Sequence, residues 1–392
     1  MAASCAGSDD SIRVPDFHAN WNFIMKITAA VATAAQAPFV MRDLELETPR
    51  ADEVLVRIRG VGLCHTDLIA RDQFISIPLP VVLGHEGAGI IEAVGAGVHD
   101  LRPGDHVVMS FSSCGTCPRC DEALPAYCQS FPGLNYSGRR ADGSSPLKLD
   151  GQDISAAFFG QSSFASYALA PRRNVVKVAS SAPIEMLGPL GCGIQTGAGA
   201  ILRSLKCPAG SSLAIFGGGT VGLSAVMAAK IAGCHPIIVV EPVEARRMLA
   251  TEFGATHVID PKAEQSVPDA VRQIAPAGVD FAFESSGLVP VVEAALASLG
   301  SHGTLGIVGV PPKPEDALSI NLASVITFGH QIKGIIEGDS DIETFIPYLV
   351  DLHTAGKFPF DRMIRTFPLS EINAAVKAHH DGSCIKAVLI PD

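Results

Sequence analysis

The chain has 392 residues, which suggests two domains with sizeable cores. Hydrophobic residues make up 47% and charged residues 18%, a balance that excludes both a disordered chain and a coiled coil. The net charge of −11 argues against any general affinity for nucleic acid or anionic membrane, so a small molecule is the expected partner.

Residues 1–25 read as a polar, irregular extension. Asp9, Asp10, Arg13 and Asp16 interrupt it and no apolar stretch of secretory length occurs, so a cytoplasmic protein is expected. From Lys26 to about Ala179 the pattern is one of short strands and many turns. Glu53–Arg59 alternates as EVLVRIR, the period of a half-buried strand, and Leu101–Met109 carries a Pro-Gly-Asp turn into another strand. Gly133–Ser155 is rich in Gly, Ser and Asp and reads as one long loop.

The stretch Cys207–Ala229 carries no charge, but its glycines and proline split it into strand, turn and helix rather than a membrane span. From there strands and helices alternate. Strands are expected at Ser212–Phe216, Pro236–Glu241, His257–Asp260, Val279–Glu284, Thr304–Val310 and Gln331–Glu337. Helices are expected at Val221–Ile231, Ala245–Phe253 and Pro290–Leu299. This rhythm implies an α/β fold with a doubly wound parallel sheet, set beside a mostly β domain. The tail from Phe358 returns to mixed structure and is expected to rejoin the first domain.

Four cysteines are spaced Cys114-x2-Cys117-x2-Cys120-x7-Cys128, with Gly115 and Pro118 available for sharp turns. Four thiolates on one short segment suit a closed tetrahedral zinc site; reduced cysteines or an iron–sulfur cluster are the alternatives. A second set is scattered: Cys64 in Cys64-His65-Thr66-Asp67, His85 with Glu86 in Gly84-His85-Glu86-Gly87, and Cys192 in Gly191-Cys192-Gly193. Each is weak alone. Together they offer two thiolates and an imidazole, which leaves a fourth position on a metal open for water or substrate. Thr66 is placed to accept a proton from a bound alcohol. Asp67 is placed to orient His85, and Glu86 to do likewise or to ligate transiently.

Gly217-Gly218-Gly219-Thr220-Val221-Gly222 fits G-x-G-x-x-G between an expected strand and an expected helix, the context of a dinucleotide site. Gly217, Gly219, Thr220, Val221 and Gly222 are the candidate contacts, with pyrophosphate at the helix N-terminus. Glu241, 19 residues after Gly222, is placed to accept both ribose hydroxyls and to repel a 2′-phosphate, which favours NAD over NADP. Arg246 and Arg247 stand close enough to offset part of that repulsion.

Taken together, GLCHTDL, VLGHEGAGIIEAVGAGV, FSSCGTCPRC, FFGQSSFASYA and LGPLGCGIQTGAGA resemble the zinc-dependent medium-chain alcohol dehydrogenases, and most strongly the bacterial aryl-alcohol (benzyl alcohol) branch. The resemblance runs from about Met25 to the C-terminus. It implies a GroES-like catalytic domain at 26–192, an NAD-binding Rossmann domain at 193–337 and a return to the catalytic domain at 338–392. It implies two zinc ions per subunit: a catalytic one on Cys64, His85 and Cys192 with Glu86 adjacent, and a structural one on Cys114, Cys117, Cys120 and Cys128. It further places Thr196 beside the nicotinamide, Arg246 near the adenosine ribose and Lys386 near the pyrophosphate. A homodimer or homotetramer is implied, paired through the region around Thr327–Glu337.

One departure concerns the proton route. Liver-type relatives carry a histidine five residues after the first cysteine ligand, where this chain has Ile69. The proton is therefore expected to pass from Thr66 by way of a cofactor ribose hydroxyl to water or to His65, which otherwise contacts cofactor phosphate. The expected reaction is reversible, NAD-dependent oxidation of a primary alcohol, aromatic by resemblance, to its aldehyde. Allylic terpenoid or long aliphatic alcohols are the alternative substrates, and a non-catalytic zinc and nucleotide-binding protein is the alternative of another class.

Overall fold

The computed structural model describes residues 24–392; the expected N-terminal extension lies almost wholly outside them. Three sheets organise the chain. The first joins Met25–Ala32, Val40–Leu46, Val81–Val82, Leu147–Leu149 and Gln152–Asp153. The second has seven strands, with Glu53–Gly62 as its hub. That strand pairs antiparallel with Gly87–Val94, Tyr167–Pro171 and Lys386–Ile390. Having partners along so much of its length, it is more buried than its alternation predicts: Val54, Leu55, Val56 and Ile58 are all interior, and Arg57 is its one exposed residue.

The third sheet is wholly parallel. Its order is His257–Ile259, Ile237–Val240, Leu213–Phe216, Val279–Glu284, Leu299–Ile307, Gln331–Gly334. The order reverses beside Leu213–Phe216, so the crevice at that strand's carboxyl end is where such sheets take a ligand. The uncharged stretch divides as its turn residues require, into Leu213–Phe216 and the helix Thr220–Ala232. Among the described residues, no helix is long and apolar enough to cross a membrane.

Two expected elements differ. Gly133–Ser155 is not one loop. It contains the end of a short helix, Phe131–Tyr136, and a hairpin formed by Leu147–Leu149 and Gln152–Asp153. The Arg140 guanidinium pins the segment by ion pairs to Glu53 (2.6 Å) and Glu47 (2.8 Å), partners far away in the chain. The last strand is also shorter than expected. It stops at Gly334, and Glu337–Asp339 forms a tight 3-10 turn in which Glu337, Gly338 and Asp339 all have positive φ. The tail re-enters the second sheet, where Val388 lies opposite Gly62.

Candidate active site

The helix His65–Arg71 starts at Cys64, in extended backbone, and Asp67 fixes that start by accepting the Cys64 amide on Oδ2 (3.0 Å). The other Asp67 oxygen accepts the Gly84 amide (3.0 Å) and faces His85 Nδ1 at 2.8 Å. One fully buried carboxylate thus ties the helix start to the segment that carries His85. Burial disfavours charge on His85, but the Asp67 carboxylate and the neighbouring Cys64 together outweigh it and hold the imidazole pKa well above its ordinary value. With Nδ1 engaged, Nε2 points into the site, buried and without a hydrogen-bond partner.

Cys192 enters at the start of the helix Gly193–Gly199. The ligand atoms of Cys64, His85, Glu86 and Cys192 all lie within 4.8 Å of one another. A buried imidazole nitrogen without a partner, aimed at two thiols, is what a soft divalent metal satisfies, so these residues fit zinc. Thr66 Oγ1 lies 3.7 Å from Cys64 Sγ, at the edge of the cluster. His65 faces outward and stacks at 6.4 Å on His379, whose pKa burial lowers to about 4.

Glu86 does not share the orienting of His85. Its Oε1 accepts the Gly193 amide (3.3 Å), and its Oε2 lies 2.5 Å from Lys386 Nζ. Burial raises its pKa to about 7, with the lysine opposing.

Four further cysteines, Cys114, Cys117, Cys120 and Cys128, form a lobe of their own. Cys117 Sγ lies 3.6 Å from Cys120 Sγ and 4.0 Å from Cys128 Sγ, and Cys114 Sγ lies 4.0 Å from Cys120 Sγ. Thiolates at about 2.3 Å from a tetrahedral zinc stand roughly 3.8 Å apart, so this spacing also fits. Backbone amides of Cys114, Thr116 and Gln129 point at the sulfurs, and Gly115 takes the left-handed conformation (φ 74°) that the turn needs.

At the glycine-rich turn, Gly217 has φ 103°, and a Cβ on Gly222 would stand 1.8 Å from the Gly217 carbonyl. Both positions therefore require glycine. A Cβ on Gly219 would meet nothing within 4 Å, so this backbone is open to a ligand at the start of the helix Thr220–Ala232. Val221 follows on the helix's first turn, and its carbonyl would stand 2.0 Å from a Cβ on Gly197, so the helix carrying buried Thr196 packs closely here. Glu241 stands just past the next strand and accepts the amides of Gly218 (2.6 Å) and Val243 (2.8 Å). Arg247 is engaged with the Glu241 carbonyl and Asp260, whereas the Nε of Arg246 has no partner.

Comparison with known proteins agrees with this geometry. Residues 50–180 match the alcohol dehydrogenase GroES-like domain, and residues 220–352 match the zinc-binding dehydrogenase family. A geraniol dehydrogenase from Castellaniella defragrans is 46% identical over 363 residues, 92% of this chain and 97% of that protein. The chain belongs to the zinc-dependent medium-chain alcohol dehydrogenases. Among solved structures, an alcohol dehydrogenase zinc-binding domain protein from Burkholderia ambifaria is 51% identical with a TM-score of 0.92, covering 94% of this chain and 99% of that one. Benzyl alcohol dehydrogenase from Acinetobacter calcoaceticus is 43% identical with a TM-score of 0.91, covering 94% and 100%.

Three features of this alcohol dehydrogenase's site go beyond the sequence reading. Lys386, expected at the pyrophosphate, is buried with its ammonium on Glu86 and on the Leu63 carbonyl (3.1 Å), while the neighbouring Ile385 carbonyl accepts from Thr220 Oγ1 (3.1 Å). Glu337 brings a further buried carboxylate. Its Oε1 lies 3.7 Å from Cys192 Sγ, its Oε2 accepts from Gln195 Nε2 (3.2 Å), and burial raises its pKa to about 7. Third, Phe159 stacks on His85 at 4.5 Å and meets Tyr136 (5.5 Å) and Phe131 (6.2 Å), an aromatic wall against the cluster.

Proposed function

We propose that this enzyme oxidises primary alcohols, aromatic benzyl-type ones by preference, to aldehydes with NAD. The observation that carries the reading is the buried cluster of Cys64, His85 and Cys192 with its free Nε2, bordered by the Thr66 hydroxyl. The preference for aromatic alcohols is supported by the 43% identity to benzyl alcohol dehydrogenase over 94% of this chain.

Cys64, His85 and Cys192 would hold the catalytic zinc, which when bound supplies a Lewis acid that acidifies an alcohol hydroxyl. Cys114, Cys117, Cys120 and Cys128 would hold a second, structural zinc. NAD, held at the glycine turn, supplies the hydride acceptor. The chain's own residues do the rest. Thr66 accepts the alcohol proton. Asp67 fixes the His85 ring and keeps Nε2 aimed at the cluster. Lys386 offsets the negative charge that Glu86 adds to two thiolates. Gly217, Gly219 and Gly222 would admit the pyrophosphate, Thr196 would border the nicotinamide, Arg246 would lie near the ribose, and Glu241 would disfavour a 2′-phosphate.

Turnover of benzyl alcohol, geraniol and hexanol with NAD tests the substrate reading: benzyl alcohol should give the highest kcat/KM. The second reading, an allylic terpenoid alcohol such as geraniol, is favoured by the 46% identity to a geraniol dehydrogenase and predicts the reverse order for the first two.

We further propose a cytoplasmic homodimer or homotetramer. The helix Leu322–Phe328 leaves Leu322 and Ile326 71% and 79% exposed beside the edge strand Gln331–Gly334, the features of a surface that pairs with a second copy.

A further inference from the structure

Tyr127 joins the cysteine lobe to the turn that carries Glu337 beside Cys192. Tyr127 lies in the 3-10 turn Pro125–Tyr127, between Cys120 and Cys128. Its hydroxyl donates to Asp339 Oδ1 at 2.7 Å, with the Gly334 carbonyl at 3.1 Å. The other Asp339 oxygen faces Lys333 Nζ at 3.1 Å, and the Asp339 carbonyl accepts from Arg203 Nε at 3.3 Å. Asp339 closes the turn Glu337–Asp339, whose three residues have φ of 50°, 66° and 51°. Two of them are not glycine, so the turn is held in a conformation its residues disfavour and needs outside restraint. Packing supplies part of it: a Cβ on Gly338 would stand 2.5 Å from the Gln195 carbonyl, which leaves no room between the turn and the helix Gly193–Gly199. The Glu337 carboxylate, at the other end of the turn, contacts Cys192 and Gln195.

We propose that Tyr127 is a positioning residue for the active site: through Asp339 it holds the left-handed Glu337–Asp339 turn, and with it the Glu337 carboxylate, against Cys192 and Gln195. The cysteine lobe supplies a rigid base for a hydroxyl that sets the geometry on the far side of the cluster. The proposal rests on the reading that the Cys64–His85–Cys192 cluster is the active site.

The test uses the full-length, zinc-loaded protein and two measurements. The first is hydrogen exchange without substrate. Tyr127→Phe removes only the hydroxyl, and exchange at the Asp339 and Ser340 amides, which close the turn on the Ile336 and Glu337 carbonyls, should rise about tenfold. The second is a double-mutant cycle on kcat with the best alcohol substrate. Tyr127→Phe should lower kcat about three- to tenfold at unchanged zinc content and little change in substrate KM, and it should add nothing in the Glu337→Gln background. Asp339→Asn, which keeps an acceptor oxygen, should fall between wild type and Asp339→Ala. Unchanged exchange in the turn, or effects of Tyr127→Phe and Glu337→Gln that multiply, would overturn the proposal. If Glu337→Gln does not fold, the exchange measurement on Tyr127→Phe decides alone. Because that measurement involves no turnover, it is independent of whether the cluster reading itself survives.

Discussion

In the cysteine lobe every candidate ligand comes from one short segment, Cys114 to Cys128, and the sulfurs are met by backbone amides of that segment and of Gln129, which follows it. In the catalytic cluster the ligands come from the start of one helix (Cys64), the approach to a strand (His85) and the start of another helix (Cys192). There the neighbours are carboxylates and an ammonium rather than amides: Asp67 on His85, Lys386 on Glu86, Glu337 beside Cys192. The lobe has four sulfur ligands and no vacancy on a tetrahedral metal, whereas the cluster offers three ligands and an adjacent carboxylate. On the proposed assignment, one metal type is made structural or reactive by the chain around it. A local, sulfur-only set closes a loop; a set assembled across the fold leaves a coordination position and surrounds it with charge.

The contrast can be broken by single substitutions. Cys64→Ala should lower kcat by roughly a thousandfold or more, since the Lewis acid is lost, and should leave circular dichroism and Tm nearly unchanged. Cys114→Ala should do the opposite: Tm should fall by about 10 °C or more, because structural zinc contributes folding free energy. If both variants lose stability equally, the division of labour is wrong. Thr66→Ala should lower kcat by about 10²–10⁴-fold, the range of a lost proton acceptor, while Thr66→Ser keeps most of it. Equal loss in both would point to packing of the methyl group instead. At the nucleotide turn the expected effect is smaller. NAD should exceed NADP in kcat/KM by roughly a hundredfold, and Glu241→Gln should narrow that gap. Comparable constants in the wild type would show that Arg246, whose Nε is free, outweighs Glu241.

The same contrast explains what could be read from the sequence. The cysteine lobe was legible because its spacing is a local pattern, and the alternation of strands and helices after Ser211 was legible because each period is local too. The catalytic set needed three weak signals to be added together. Glu337 carried no signal. It joins no motif, and it reaches Cys192 only because a left-handed turn folds back onto the helix Gly193–Gly199. Nor did the aromatic wall: Gly160 marks a turn, but Ala157, Phe159 and Ser162 adopt positive φ without being glycine, so local residue types do not announce the full bend that lays Phe159 on His85. Gly133–Ser155 reads as one loop because its composition is that of a loop, and the ion pairs from Arg140 that order it lead to Glu47 and Glu53, far away in sequence. Long-range closure, not local propensity, decided each of these.

The most direct test is zinc per folded chain by elemental analysis, in chelator-free wild type, Cys64→Ala and Cys114→Ala. The account predicts two zinc ions in the wild type and one in Cys64→Ala, with that protein still folded and inactive; any folded Cys114→Ala should keep the catalytic ion. A single zinc in fully folded wild type, or loss of both ions on substitution of Cys64 alone, would contradict it.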